Sequence, residues 1–342
     1  MKLNHLMASQ ALVAICLAGV MTPATAYHLA REVKLAGAEG WDYLTFDAAR
    51  GQLFVTHGTH VEVLDGATLA HAGTIGNTPG VHGVAISDAL AHGYVSAGAA
   101  SSIVVFDLTS LARLAEIKTT GDNPDAILYE PTTHRIFTFN GRGRNATVVD
   151  TAKNTVVGTI ALNAKPEFAV HDGTGRVFVN LEDRNSLAAI DARTLVVTAT
   201  WPLVGCEEPT GLAIDRQHHR LFAACSNKVM AVVDSTTGHG VAQVPIGDGV
   251  DGAAFDATKQ LVFASGGDAT LTVIHEETPD TFTVVETVTT KPGARTLTLD
   301  ERTHRIFLAT AQRKPAAAAT PDQPHPRPTV VPDTFEVLVV EP

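Results

Sequence analysis

The chain has 342 residues, is 45% hydrophobic and only 6% aromatic, and carries a formal net charge of −11. That length and apolarity allow a large core without help from metals or many disulfides. The acidity, the lack of any Lys/Arg cluster and the scarcity of aromatics exclude a nucleic-acid partner, because neither phosphate neutralisation nor base stacking is supplied.

Residues 1–26 read as a separate segment. Lys2 gives a positive start, Ala11 to Val20 is an apolar run, and Ala24-Thr25-Ala26 is a small-x-small cleavage site. This predicts a secretory signal peptide cut after Ala26 rather than a membrane span, because the run is too short to cross a bilayer. Cys16 follows Ile15, where lipidation wants a small residue. Lys2 is the leader's only charged side chain, so cleavage leaves a more acidic mature chain, expected to be periplasmic or secreted, monomeric and without a membrane span.

From residue 27 onward one phrase recurs: an apolar strand, an acidic or polar turn, a second apolar strand, and a third ending in a "VVD"-like triplet. Blade one has Tyr43–Phe46, Leu53–Val55 and Val61–Leu64; blade two has Val84–Ile86, Tyr94–Ser96 and Ile103–Phe106. The residue closing the first strand of each copy falls at Asp47, Ser87, Glu130, His171, Asp215, Asp256 and Asp300, in steps of 40, 43, 41, 44, 41 and 44 residues. A period of about 40–45 residues with several short β-rich runs per copy is that of β-propeller blades. The sequence therefore predicts an all-β, seven-bladed β-propeller occupying residues 27–342 as one domain. Blade seven ends one strand short, and Glu32–Leu35 is available to pair with Phe335–Val340, closing the ring and removing exposed edges. The stretch 311–333 inside that blade is rich in Pro and Ala and is expected to be a mobile surface loop.

Two cysteines survive cleavage. Cys206 precedes the first strand of blade five and Cys225 ends the second, so both lie at one edge of a hairpin. In an oxidising compartment they are expected to pair as a structural disulfide.

Leu-Phe-Val-Thr-His-Gly (53–58), Tyr-Val-Ser-Ala-Gly (94–98) and Ile-Phe-Thr-Phe-Asn-Gly (136–141), each followed by a "VVD"-like strand, resemble the YVTN-repeat β-propellers, in particular the exported bacterial YncE-like ones. The resemblance covers essentially all of residues 27–342, although the literal four-letter motif never occurs. It implies a seven-bladed periplasmic or secreted propeller and no universal catalytic residues.

Comparison among the copies separates scaffold from candidate site. His134, His219 and His304 occupy the same turn on three blades, so they are spread around the ring and cannot share one ion. Positions that converge are those at the start of each innermost strand. Five residues back from each closing position lie Asp42, His82, Asp125, Pro166, Thr210, Asp251 and Arg295, with Glu167 and Glu208 beside the fourth and fifth. Buried charge must be paired, and two carboxylates ~8 Å apart repel by ~2 kcal/mol at an effective dielectric of 20. Such a ring favours a bound cation, shared protons, or Arg295 as counter-charge. Loops after each second strand add His57, His60, Asn140, Arg142, Glu182, Asp183 and Asn227 to the same rim.

The chain contains no G-x-S-x-G elbow, no H-E-x-x-H pair, no P-loop and no C-x-x-C-H. Gly247–Gly252 is too short for a calcium loop and lacks its terminal Glu. The expected function is an exported binding or interaction protein. It would take a small cationic ligand, a metal ion or a basic protein segment on Asp42, His82, Asp125, Glu167, Glu208, Asp251 and Arg295. A divalent cation would sit on Asp42, Asp125 and Asp251. The alternative is a lactonase-type hydrolase or isomerase in which His82 is general base, Arg295 holds a substrate carboxylate or oxyanion, and Asp125 orients His82 or a metal-bound water. A third possibility is an interaction scaffold that uses only the blade rims.

Overall fold

In the computed structural model, residues 26–37, 39–316 and 328–342 are described; the expected signal peptide lies almost wholly outside them. The described residues form seven four-stranded antiparallel sheets, with helix limited to three short 3₁₀ turns. In six blades the four strands follow one another in sequence. The innermost strands end at Asp47, Ser87, Glu130, His171, Asp215, Asp256 and Asp300, the residues that the repeat marks as closing positions.

Those endings have a local cause. Asp47 Oδ1 accepts hydrogen bonds from the amides of Ala49 and Arg50, Asp256 Oδ1 does the same for Thr258 and Lys259, and Glu130 for Thr132 and Thr133. The recurring "VVD" aspartates act likewise one turn later, as Asp107 does for Thr109 and Ser110. A short acidic side chain that satisfies the next two amides ends a strand and starts a turn. His134, His219 and His304 share the left-handed conformation (φ 53°, 58° and 61°). They are turn residues, as their repeat position predicts.

Each sheet is apolar on both faces, so a single blade would leave both in water. The core accordingly divides into seven clusters, one at every blade–blade junction. Phe54, Val63 and Phe106 join blades one and two; Phe178, Leu187 and Leu221 join four and five; Phe263, Leu271 and Ile306 join six and seven. Each of these side chains is 0% exposed. Truncating one such Phe to Ala costs about 3–5 kcal/mol.

Ring closure follows the sequence prediction. His28–Lys34 pairs antiparallel with Glu336–Glu341, which pairs with Arg305–Thr310, so blade seven combines both ends of the chain. Within 311–333, Arg313–Lys314 and Thr329–Val330 form a two-stranded ribbon, and the Arg313 guanidinium stacks 4.8 Å over the Trp41 ring. The centre of the expected loop lies outside the described residues. Cys206 and Cys225 form the expected disulfide, with Cα atoms 5.4 Å apart.

Candidate functional site

The innermost strands are irregular where the expected site residues lie. In blades two to five the pairing with the second strand slips between Val81 and Val84, Pro124 and Ile127, Pro166 and Ala169, and Pro209 and Leu212. A bulge takes residues out of the ladder and re-aims them. The residues released are His82, Asp125, Glu167 and Thr210. In blades one, six and seven the strand begins later, which leaves Asp42, Asp251 and Arg295 on the extended entry segments.

The backbone of these positions is fixed by the preceding blade. Ser96 Oγ donates to Asp125 O (2.6 Å), Asn180 Nδ2 to Thr210 O (3.0 Å), and Ser265 Oγ to Arg295 O (2.5 Å). Thr296 Oγ1 donates to Asp42 O (2.8 Å), tying blade seven to blade one.

Asp42, His82 and Asp125, from three consecutive blades, come together, with ligand-capable atoms all within 4.8 Å of one another. His82 Nδ1 lies 2.6 Å from Asp42 Oδ2 and 3.5 Å from Asp125 Oδ1. Burial works against a charged imidazole. The hydrogen bond to Asp42 and the charges of Asp125 and Asp42 outweigh it, holding His82 at about 9. Burial and the Asp42 charge push Asp125 up to about 7, with His82 pulling the other way. Glu167 is raised to about 8 by burial and Asp125, against the pull of Lys165. Asp251 is raised to about 6 by burial, although Arg295 Nε lies 3.1 Å from its Oδ2.

Three further participants are visible only in the folded chain. Lys165 Nζ pairs with Glu167 Oε1 at 2.7 Å and also with Glu182, so a lysine neutralises part of the cluster. Asn123 lies beside His82 and favours its charged form. Tyr43 is buried and meets Phe168 edge-on, with ring centroids 5.2 Å apart, although the two belong to blades one and four. Its phenol is held well above its ordinary value by burial and by the surrounding Asp125, Asp42, Asp251 and Glu167. Phe168 also lines a cavity of about 400 Å³, together with Phe46, Ile86, Leu128 and Leu299 and with the polar His171 and Arg216.

Two positions differ from a strict count along the repeat. Blade four contributes Glu167 rather than Pro166, because its innermost strand, Pro166–His171, is one residue shorter than Pro124–Glu130. Glu208 is exposed, and its amide donates to Asn185 Oδ1 (2.9 Å). Among the described residues no hydrogen bond or ion pair joins its side chain to the cluster. Of the expected rim residues, Asn140 and Asn227 hold their own loops, bonding Asn145 and Thr147, and Gly205, respectively. Asp183 pairs with Arg144 at 2.7 Å, and Arg142 is exposed. A cleft of about 500 Å³ between blades one and two, lined by Thr59, Asn77 and Arg113, contains none of the cluster.

No family model matches the chain, and no curated protein matches it. Solved structures do. The chain is similar to hydrazine synthase from Kuenenia stuttgartiensis, at 17% identity and a TM-score of 0.68, covering 81% of this chain and 94% of that one. It is also similar to the WD40 repeats of RRP9 (9% identity, TM-score 0.75, 91% and 97% covered). U3-55K gives 9% identity, a TM-score of 0.73, and coverage of 90% and 98%. The fold is a seven-bladed β-propeller with WD40-like neighbours. At such identities the likeness is one of fold, and function has to be argued from the residues. No helix among the described residues is long and apolar enough to cross a membrane.

Proposed function

We propose that the protein is an exported, YVTN-type propeller that binds a small cation, or the cationic side chain of a basic protein segment, through the carboxylate cluster of its axial channel. The observation that carries this reading is the convergence of Asp42, His82 and Asp125 from three separate blades. Glu167 and Asp251 add to the negative side. His82, Lys165 and Arg295 supply positive charge, yet Asp125 and Glu167 still hold protons more tightly than ordinary carboxylates. A cation entering the cluster would displace those protons, so affinity should rise as the pH is raised from 6 to 9. The disulfide and the YVTN resemblance support export. A propeller is also a suitable scaffold for protein interaction, which makes a basic segment of a partner as plausible a carrier of the charge as a free ion.

The test is equilibrium binding of calcium, zinc and spermidine to chelated mature protein at several pH values. Binding by at least one probe that weakens with salt, strengthens with pH and is lost in Asp125→Asn supports the reading. Identical binding by wild type and Asp125→Asn contradicts it.

The 2.6 Å His82–Asp42 pair also favours a second reading, a lactonase-type hydrolase. An imidazole that keeps its proton to about pH 9 is suited to a general acid rather than the general base expected from sequence. Arg295 is already engaged by Asp251. Turnover of a lactone panel that is abolished by His82→Ala would establish the enzyme, and no turnover by wild type would remove it.

A further inference from the structure

Blade one carries a second cluster, away from Asp125 and Glu167. His57-Gly58-Thr59-His60 is a two-residue hairpin in which His57 and His60 are register partners, and Gly58 takes the left-handed conformation (φ 54°) that the turn needs. Directly opposed residues of an antiparallel pair project on the same side. The two imidazoles are accordingly adjacent, with centroids 4.9 Å apart. Glu39, on the entry segment, lies over them and accepts a hydrogen bond from Thr59 Oγ1 (3.1 Å).

His57 is the unusual member. It is 0% exposed, and neither ring nitrogen has a hydrogen-bond partner. One ring face stacks on Phe335 with centroids 4.3 Å apart. An unsatisfied buried polar group costs about 1–3 kcal/mol, and here the ring has two. A metal ion satisfies such a nitrogen as well as a hydrogen bond does.

His60 points the same way. Its Nε2 lies 3.1 Å from Glu62 Oε1, and Glu62 Oε2 is itself held by His71 Nε2 at 3.0 Å. With Nε2 donating to Glu62, the lone pair of Nδ1 faces Glu39 Oε2, 3.5 Å away. Two acceptors facing each other repel unless a cation lies between them. A tetrahedron with arms of ~2.1 Å has edges of ~3.4 Å, so the separation suits two ligands of one ion. The carboxylate behind His60 is the orienting partner that metal-bound imidazoles commonly have.

We infer that Glu39, His57 and His60 form a zinc-class site at the rim of blade one, with Glu62 orienting His60 and a fourth position open to water. Their ligand-capable atoms lie within 4.8 Å of one another. Two imidazoles and one carboxylate suit Zn²⁺, whereas calcium and magnesium call for more oxygen ligands. The site is separate from the channel cluster, although both bear on the entry segment: Asp42 N donates to Thr56 Oγ1, one residue before His57.

The experiment is calorimetric titration of Zn²⁺ into chelated mature protein carrying Asp125→Asn, which removes the channel's contribution. Co²⁺ absorption reports the coordination geometry. One Zn²⁺ per chain is expected, with tetrahedral Co²⁺ bands, and affinity should fall about tenfold or more in both Glu39→Gln and His60→Gln. These two side chains are partly exposed, so the variants keep the fold even if His57→Gln, stacked on Phe335, does not. His219→Gln, in an exposed turn, controls for adventitious binding by surface histidines. Absence of zinc binding, binding unchanged in Glu39→Gln and His60→Gln, or loss equal to that in His219→Gln overturns the inference.

Discussion

Replacing Asp42 by Asn removes the carboxylate that lies 2.6 Å from His82 Nδ1. The distance between the ordinary imidazole value of 6.5 and about 9 corresponds to about 3 kcal/mol of preference for the charged ring in the folded state. Because the folded value lies above the unfolded one, this stabilisation is complete below pH 6.5 and is lost as the pH rises through 9. Asp125 and Glu167 act in the same direction, since their raised carboxyls hold protons that the unfolded chain has released. The folded protein therefore binds more protons than the unfolded chain across this window, and stability should fall from pH 6 to pH 10. In Asp42→Asn the Asp125 charge remains 3.5 Å from His82, so roughly half of the effect, about 1–2 kcal/mol, should disappear. The assay is urea unfolding of metal-free protein at pH 6 and pH 10, with an NMR titration of the His82 ring. A wild-type His82 that titrates at or below 6.5, or a pH dependence identical in wild type and Asp42→Asn, would refute the reasoning.

Removing the disulfide with paired Cys206→Ser and Cys225→Ser substitutions, which open a bridge of sequence separation 19, should cost about 3 kcal/mol by urea denaturation; an unchanged midpoint would contradict this. Ser96→Ala frees the Asp125 carbonyl and the Gly83 amide. It should destabilise by about 1–3 kcal/mol and weaken cation capture, read by thermal unfolding and by the same binding titration. His171 is held down to about 4 by burial and the nearby Arg216. Its folded value lies below the unfolded one, so its contribution is present above pH 6.5 and lost as the pH falls through 4. His171→Phe should move acid unfolding, followed by circular dichroism, to lower pH.

The blade frame was legible because its markers are local. Asp47, Asp256 and Asp300 end strands by binding amides two or three residues ahead, so the signal sits within a few positions and repeats with each blade. The same locality placed Cys206 and Cys225 at one hairpin edge. The convergence of Asp42, His82, Asp125 and Asp251 could be read by counting back from those markers. The count failed in blade four, where a shorter strand moved the channel position from Pro166 to Glu167. Glu208 sits in a left-handed bend (φ 47°) ahead of its strand. Lys165 repeats nowhere, and its position two residues before Glu167 was the only available sign of a counter-charge. Tyr43 read as an ordinary strand residue, since its contact with Phe168 spans blades that are distant in sequence. His57 read as a rim residue, and its burial depends on Phe335, at the far end of the chain.

The most direct test is the cation stoichiometry of the purified protein, compared among wild type, Asp125→Asn and Glu39→Gln. If the channel captures a cation, the wild type carries or takes up one that Asp125→Asn loses and Glu39→Gln keeps. A channel that holds no inorganic or organic cation in the wild type, or one whose occupancy is indifferent to Asp125→Asn, would contradict the account.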